Sequence, residues 1–119
     1  MIAITLPWPA NDLRPNARPH WAAKARAVKK ARIEAAWSCK AAGIRKGDPD
    51  IPQALRVTAV FSPPTSHARD DDNMLSACKA YFDGIADFIG VDDSKWSIAI
   101  RREPVVKGGA VRIEIEEAA

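Results

Sequence analysis

Between Asn73 and Gly90 the apolar side chains fall on one side of a helix and the charged ones on the other. With about 100° of rotation per residue, Met74, Cys78, Tyr81, Phe82, Ile85, Phe88 and Ile89 cover one broad face. Asp72, Ser76, Lys79, Asp83 and Asp87 gather on the opposite side. A helix divided in this way must lay its aromatic side on an apolar surface. It then shows solvent an aligned row of charge. Gly90 is placed to end it, because glycine tolerates the left-handed backbone that closes helices.

The surface it needs is a sheet. Residues 2–6 and 96–102 read as short strands, and 54–61 is β-branched with partial alternation. In 110–116, Val111, Ile113 and Ile115 alternate with Arg112, Glu114 and Glu116. Lys107-Gly108-Gly109 reads as a hairpin turn between the last two strands. Pro7, Pro9, Pro15 and Pro19 exclude regular structure from an arm that holds Trp8, Asn11, Arg14, Asn16 and Arg18. Residues 20–42 lack Pro and Gly and are rich in Ala, Lys and Arg, which predicts a long helix with Gly43 at its C-terminal end. In that helix Val28, Ala35 and Cys39 share one side, and Ile33 and Trp37 lie nearly opposite. The order is β-α-β-α-β-β, an α+β fold with a four-stranded mixed sheet packed with two main helices in one domain, 1–119.

Composition narrows the setting. No apolar run approaches the length of a membrane span, and the first residues, Met1 to Pro7, lack a basic leader, so a cytoplasmic protein without membrane contact is expected. Cys39 and Cys78 stand in Ala-rich helical contexts without ligand spacing and read as reduced core residues. Trp21, Trp37 and Trp96 read as core or interface residues, and His20 and His67 as loop or cap residues.

Charge is unevenly spread. Residues 1–50 carry ten Lys and Arg against four Asp and Glu; residues 51–119 carry eight against eleven. Arg14, Arg18, Lys24, Arg26, Lys29, Lys30 and Arg32 follow one another with no acid between them. A basic arm leading to an acidic centre suits an enzyme that grips a polyanion and holds a cation against it. The same arm also suits a plain solvated helix face.

The acids are Asp70-Asp71-Asp72-Asn73, then Asp83, then Asp92-Asp93. If the backbone is extended at the first cluster, Asp70 and Asp72 leave the same side of the chain and Asp71 points away. Asp72 would sit at the mouth of the helix, where free N–H groups favour an anion. Carboxylates so close repel one another unless a hard divalent ion lies among them. The lack of a Cys/His cluster favours Mg²⁺ over zinc, with Mn²⁺ as a substitute. Phosphodiester hydrolysis needs an activated water and neutralised phosphoryl oxygens, which such an ion supplies, and a nearby lysine stabilises developing charge. Each piece has a plainer reading: a helix cap for Asp70 to Asn73, an i, i+4 ion pair for Lys79 and Asp83, and a turn cap for Asp92-Asp93.

Taken in order, these pieces resemble the RusA-like Holliday junction resolvases, small endodeoxyribonucleases typical of bacteria and their prophages. The resemblance rests on Ile4-Thr5-Leu6-Pro7-Trp8-Pro9, Asp70-Asp71-Asp72-Asn73, Lys79 with Asp83, Asp92-Asp93, and Val106-Lys107-Gly108-Gly109. It implies a Mg²⁺-dependent homodimer that resolves four-way DNA junctions by paired, symmetric nicks. It implies Asp70, Asp72 and Asp93 as essential carboxylates, Lys79 as the important lysine, and Asp92 or Asp83 as helpers. Arg14, Arg18, Lys24, Arg26, Lys29, Lys30 and Arg69 are the expected DNA-binding residues. In the best-known form of that family the lysine follows the D-x-D-N element about one helical turn sooner than here. Two other readings use the same residues: a non-catalytic module that binds branched nucleic acid, and a metal nuclease that acts on flaps or RNA.

Overall fold

The computed structural model describes residues 1–15, 17–18 and 20–118. Asn16 and Pro19, which the sequence places in the proline-rich arm, lie outside the described residues. The chain forms β1 (Ile2–Pro7), α1 (Trp21–Ala41), β2 (Leu55–Ser62), α2 (Asp71–Ala77), α3 (Lys79–Ile89), β3 (Trp96–Arg102) and β4 (Ala110–Glu117). Short 3₁₀ turns occupy Asn11–Leu13 and Asp93–Lys95. The fold is α+β, with one four-stranded mixed sheet.

The strand order is β1-β4-β2-β3. β4 lies between β1 and β2 and is antiparallel to both, whereas β2 and β3 are parallel. The expected hairpin between β3 and β4 is therefore corrected. Lys107-Gly108-Gly109 does turn, with both glycines at positive φ and the Gly109 N–H donating to the Val106 carbonyl at 3.0 Å. The turn carries the chain past the end of β2 instead of folding β4 onto β3. On the way, the N–H groups of Glu103 and Val106 donate to the carbonyls of Phe61 and Pro63. α2 and α3 supply the crossover that the parallel β2–β3 pair requires.

One face of the sheet is the core. Ile4, Leu6, Val57, Phe61, Val111 and Ile113 are buried there, together with Tyr81, Phe82, Ile85 and Ile89 of α3. The predicted division of the 73–90 stretch holds in the main: its apolar side is buried apart from the half-buried Phe88, and Asp72, Ser76, Lys79 and Asp87 are exposed with Asp83 half-buried. Burying about ten large apolar side chains at roughly 1.5–3 kcal/mol each supplies most of the driving force for this arrangement. The predicted single helix is two. At Cys78 (φ −92°, ψ 2°) the N–H donates to Leu75, three residues back, which tightens one turn before α3 begins.

α1 packs on α3 through small residues. Ala31, Ala35 and Cys39 are buried, and a methyl placed on Gly84 would lie 2.7 Å from the Arg32 carbonyl oxygen. Only glycine lets the two helices approach this closely. Gly90 ends α3 in the left-handed conformation, as predicted. Cys39 and Cys78 are free and buried, and burial pushes both thiols up to about 12. Trp96 is buried, but Trp21 at the start of α1 is 77% exposed and Trp37 is 64% exposed, one turn after the exposed Ile33. No helix among the described residues is long and apolar enough to cross a membrane.

Candidate active site

The loop after β2 delivers Asp70 in an extended conformation (φ −84°, ψ 132°), and α2 starts at the next residue. Asp70 is the cap. Its carboxylate accepts the N–H of Asp72 at 2.8 Å and that of Asn73 at 3.4 Å. Asp71 and Asp72 therefore lie in the first helical turn, and the expected strand-like alternation from Asp70 to Asp72 is corrected. Asp71 pairs with the Arg102 guanidinium at 2.7 Å, and Arg102 also donates to the Arg69 carbonyl. The Asp72 carboxylate is exposed and has no hydrogen-bond or ion-pair partner among the described residues.

Lys79 opens α3 on the exposed side. Its Nζ lies 2.7 Å from Asp93 and 2.9 Å from Asp83. Hydrogen bonds to Asp93 first, and to Asp83 second, hold this ammonium charged well above the ordinary lysine range. Asp83 is the i, i+4 partner that spacing allowed. Asp93 arrives from the loop beyond Gly90, which is held in place from both ends. Asp92 accepts the Ser94 N–H at 3.0 Å and caps the 3₁₀ turn. The Trp96 indole donates to the Val91 carbonyl at 3.2 Å and stands edge-on to Phe82. Bonds from the Ser94 hydroxyl and N–H keep the Asp92 carboxyl below its ordinary range.

These carboxylates have the hard oxygen donors that suit Mg²⁺. Among the described residues, no three His, Cys, Asp or Glu side chains come close enough together to hold a metal ion. In this conformation Asp70, Asp72, Asp92 and Asp93 are not gathered into one group. Asp70 and Asp72 stay at the start of α2, whereas Lys79 opens α3 beyond the break at Cys78. Asp93 meets Lys79, which it shares with Asp83, and not Asp70 or Asp72. Like charges without a cation between them have every reason to stay apart.

The basic residues divide into two groups. Arg14 and Arg69 line a cavity of about 330 Å³ with Trp8, Phe61, Asp70 and Asn73. Arg69 is pinned there: it donates to the carbonyls of Thr65 and His67 and to the Thr65 hydroxyl, and its guanidinium lies 5.5 Å from the centre of the Trp8 ring. Lys24, Arg26, Lys29 and Lys30 are exposed along α1, and Arg18 precedes it. Arg26 and Lys30 border a second cleft with Trp8, Asp12 and Tyr81. His20 caps α1 by accepting the Ala22 N–H. Sequence reasoning missed Arg102, whose grip on Asp71 and on the Arg69 carbonyl fixes the loop before α2. An arginine at the end of the strand parallel to β2 is the only sequence signal for it, and it becomes informative once the pairing is known.

No family model matches the chain. A protein from Xylella fastidiosa, described only as uncharacterized, is 42% identical over 116 residues, which span 97% of this chain and 76% of that protein.

Proposed function

We infer that this chain, which belongs to one family with the Xylella fastidiosa protein, is a structure-selective endodeoxyribonuclease that cuts branched DNA with Mg²⁺ as cofactor. The observation that carries the reading is the Lys79 bridge. Two acids from separate segments, Asp83 of α3 and Asp93 of the following loop, already meet on one cation at the exposed side of α3. Asp72, with no partner of its own among the described residues, lies in the first turn of α2, the helix that precedes α3. The ordered resemblance of the five sequence elements to RusA-like resolvases gives the reading its substrate.

Asp70, Asp72 and Asp93, with Asp92 assisting, are the proposed ligands of Mg²⁺, which supplies charge neutralisation and an acidified water when bound. Asp70 is oriented by the two N–H groups it caps. Lys79 offers its ammonium to the phosphoryl oxygens. Arg14, Arg18, Lys24, Arg26, Lys29, Lys30 and Arg69 attract the DNA backbone and set its register. The working unit is a homodimer, because a two-fold junction requires two cuts and two identical sites provide them. The expected compartment is the cytoplasm.

The separation of Asp93 from Asp70 and Asp72 favours one rival, a module that binds branched nucleic acid without cutting it. Purified protein incubated with a labelled four-way junction, a linear duplex, a flap and an RNA, in Mg²⁺ or in EDTA, separates the two. The nuclease yields paired, symmetric nicks in the junction, in Mg²⁺ alone, and spares the duplex. Binding without product in either Mg²⁺ or Mn²⁺ supports the rival. Cleavage confined to the flap or the RNA keeps the enzyme and removes the junction as substrate.

A further inference from the structure

We propose that the cavity beside Asp70 receives one unstacked nucleobase of the bound strand, with the adjoining phosphate at Arg14. The word "strand" rests on the nuclease reading; the chemistry of the cavity stands on its own. At about 330 Å³ it is at the small end of ligand clefts, which run from roughly 300 to 1,000 Å³. Its walls suit a flat, polar-edged ring. Phe61 and Met74 give an apolar lining, and Trp8 stands edge-on to Phe61 with ring centres 6.0 Å apart. The Arg69 guanidinium lies over one face of the Trp8 ring, and guanidinium planes and indoles are the groups on which unpaired bases stack.

The platform is built before any ligand arrives. Three hydrogen bonds from Arg69 to Thr65 and His67 fix the guanidinium. Trp8 is backed by Gly109, where an added methyl would lie 2.9 Å from the Trp8 Cβ. Asn73 brings an amide with both donors and an acceptor for a base edge. Asp70 in the wall disfavours a free anion in the cavity, so the charged part of the ligand belongs at the rim. Arg14 is exposed there, and its Nε makes a long hydrogen bond to the Asn11 carbonyl.

The test scans a single abasic residue through the strands around the branch point of a four-way junction. Wild type, Trp8→Phe and Trp8→Leu are compared for binding in EDTA and for cleavage in Mg²⁺. An eight-residue oligothymidylate serves as a probe that needs no junction. In wild type one abasic position weakens binding about tenfold, the scale of one base–aromatic stack. Trp8→Leu loses the same factor on the intact junction and no longer senses that position; Trp8→Phe keeps most of the binding and so controls for folding. Equal sensitivity of wild type and Trp8→Leu at every position overturns the proposal. The two readings fail separately. Cleavage that ignores Trp8 removes the base site and keeps the nuclease. Oligothymidylate binding that Trp8→Leu weakens, without cleavage of any junction, keeps the base site and removes the nuclease.

Discussion

Asp72→Asn lowers Mg²⁺-dependent cleavage of a four-way junction by about 10³-fold or more, while binding of the junction persists or tightens. The size follows from losing one ligand of an ion worth several kcal/mol in the transition state, at 1.36 kcal/mol per factor of ten. The opposite sign for binding follows from the removal of one negative charge from a surface that faces phosphates. The folding cost is small, because Asp72 is exposed and the helix is capped by Asp70, not by Asp72. A single-turnover cleavage assay, a binding titration in EDTA and a thermal melt check the three parts. Full cleavage by the variant removes Asp72 from the chemistry.

Lys79→Met has the second largest effect: cleavage falls by roughly 10²–10³, the range for removing one donor aimed at developing charge. Stability changes little, since Lys79 is 63% exposed in its pairs with Asp83 and Asp93, and exposed pairs contribute up to about 1 kcal/mol. Because the carboxylates raise the lysine pKa, that contribution is complete at neutral pH and is lost only as strongly alkaline pH discharges the ammonium. Without the lysine, Asp83 and Asp93 face each other uncompensated, and divalent ions bind more tightly, which calorimetry reads directly. Cleavage at the wild-type rate reduces Lys79 to a surface ion pair.

The elements were legible where one face of a segment decides its fate. The apolar residues of 73–90 had to be buried together, and Tyr81, Phe82, Ile85 and Ile89 are. Gly90 had to stop the helix, and its φ of 78° does so. The break at Cys78 was not legible, because Ser76-Ala77-Cys78 contains neither Gly nor Pro and continues the helical pattern. Strand order was hidden for a different reason. Lys107-Gly108-Gly109 carries the local chemistry of a hairpin, but long-range pairing to β2 decides where β3 and β4 lie. The site divides in the same way. The Lys79–Asp83 pair follows from spacing of four residues. Asp93 joining that lysine depends on how a loop folds back, and the cavity between Trp8, Arg69 and Asp70 unites segments some sixty residues apart.

The central claim is that acids from two separate segments come to share one hard ion. Titrating Mn²⁺ into the isotope-labelled protein and following paramagnetic broadening of backbone amides addresses it directly. The account predicts that the amides of Asp70, Asp72 and Asp93 broaden together near one equivalent, ahead of those of exposed acids elsewhere such as Glu116. Broadening at Asp70 and Asp72 that leaves Asp93 sharp, or diffuse broadening over all acids, contradicts it.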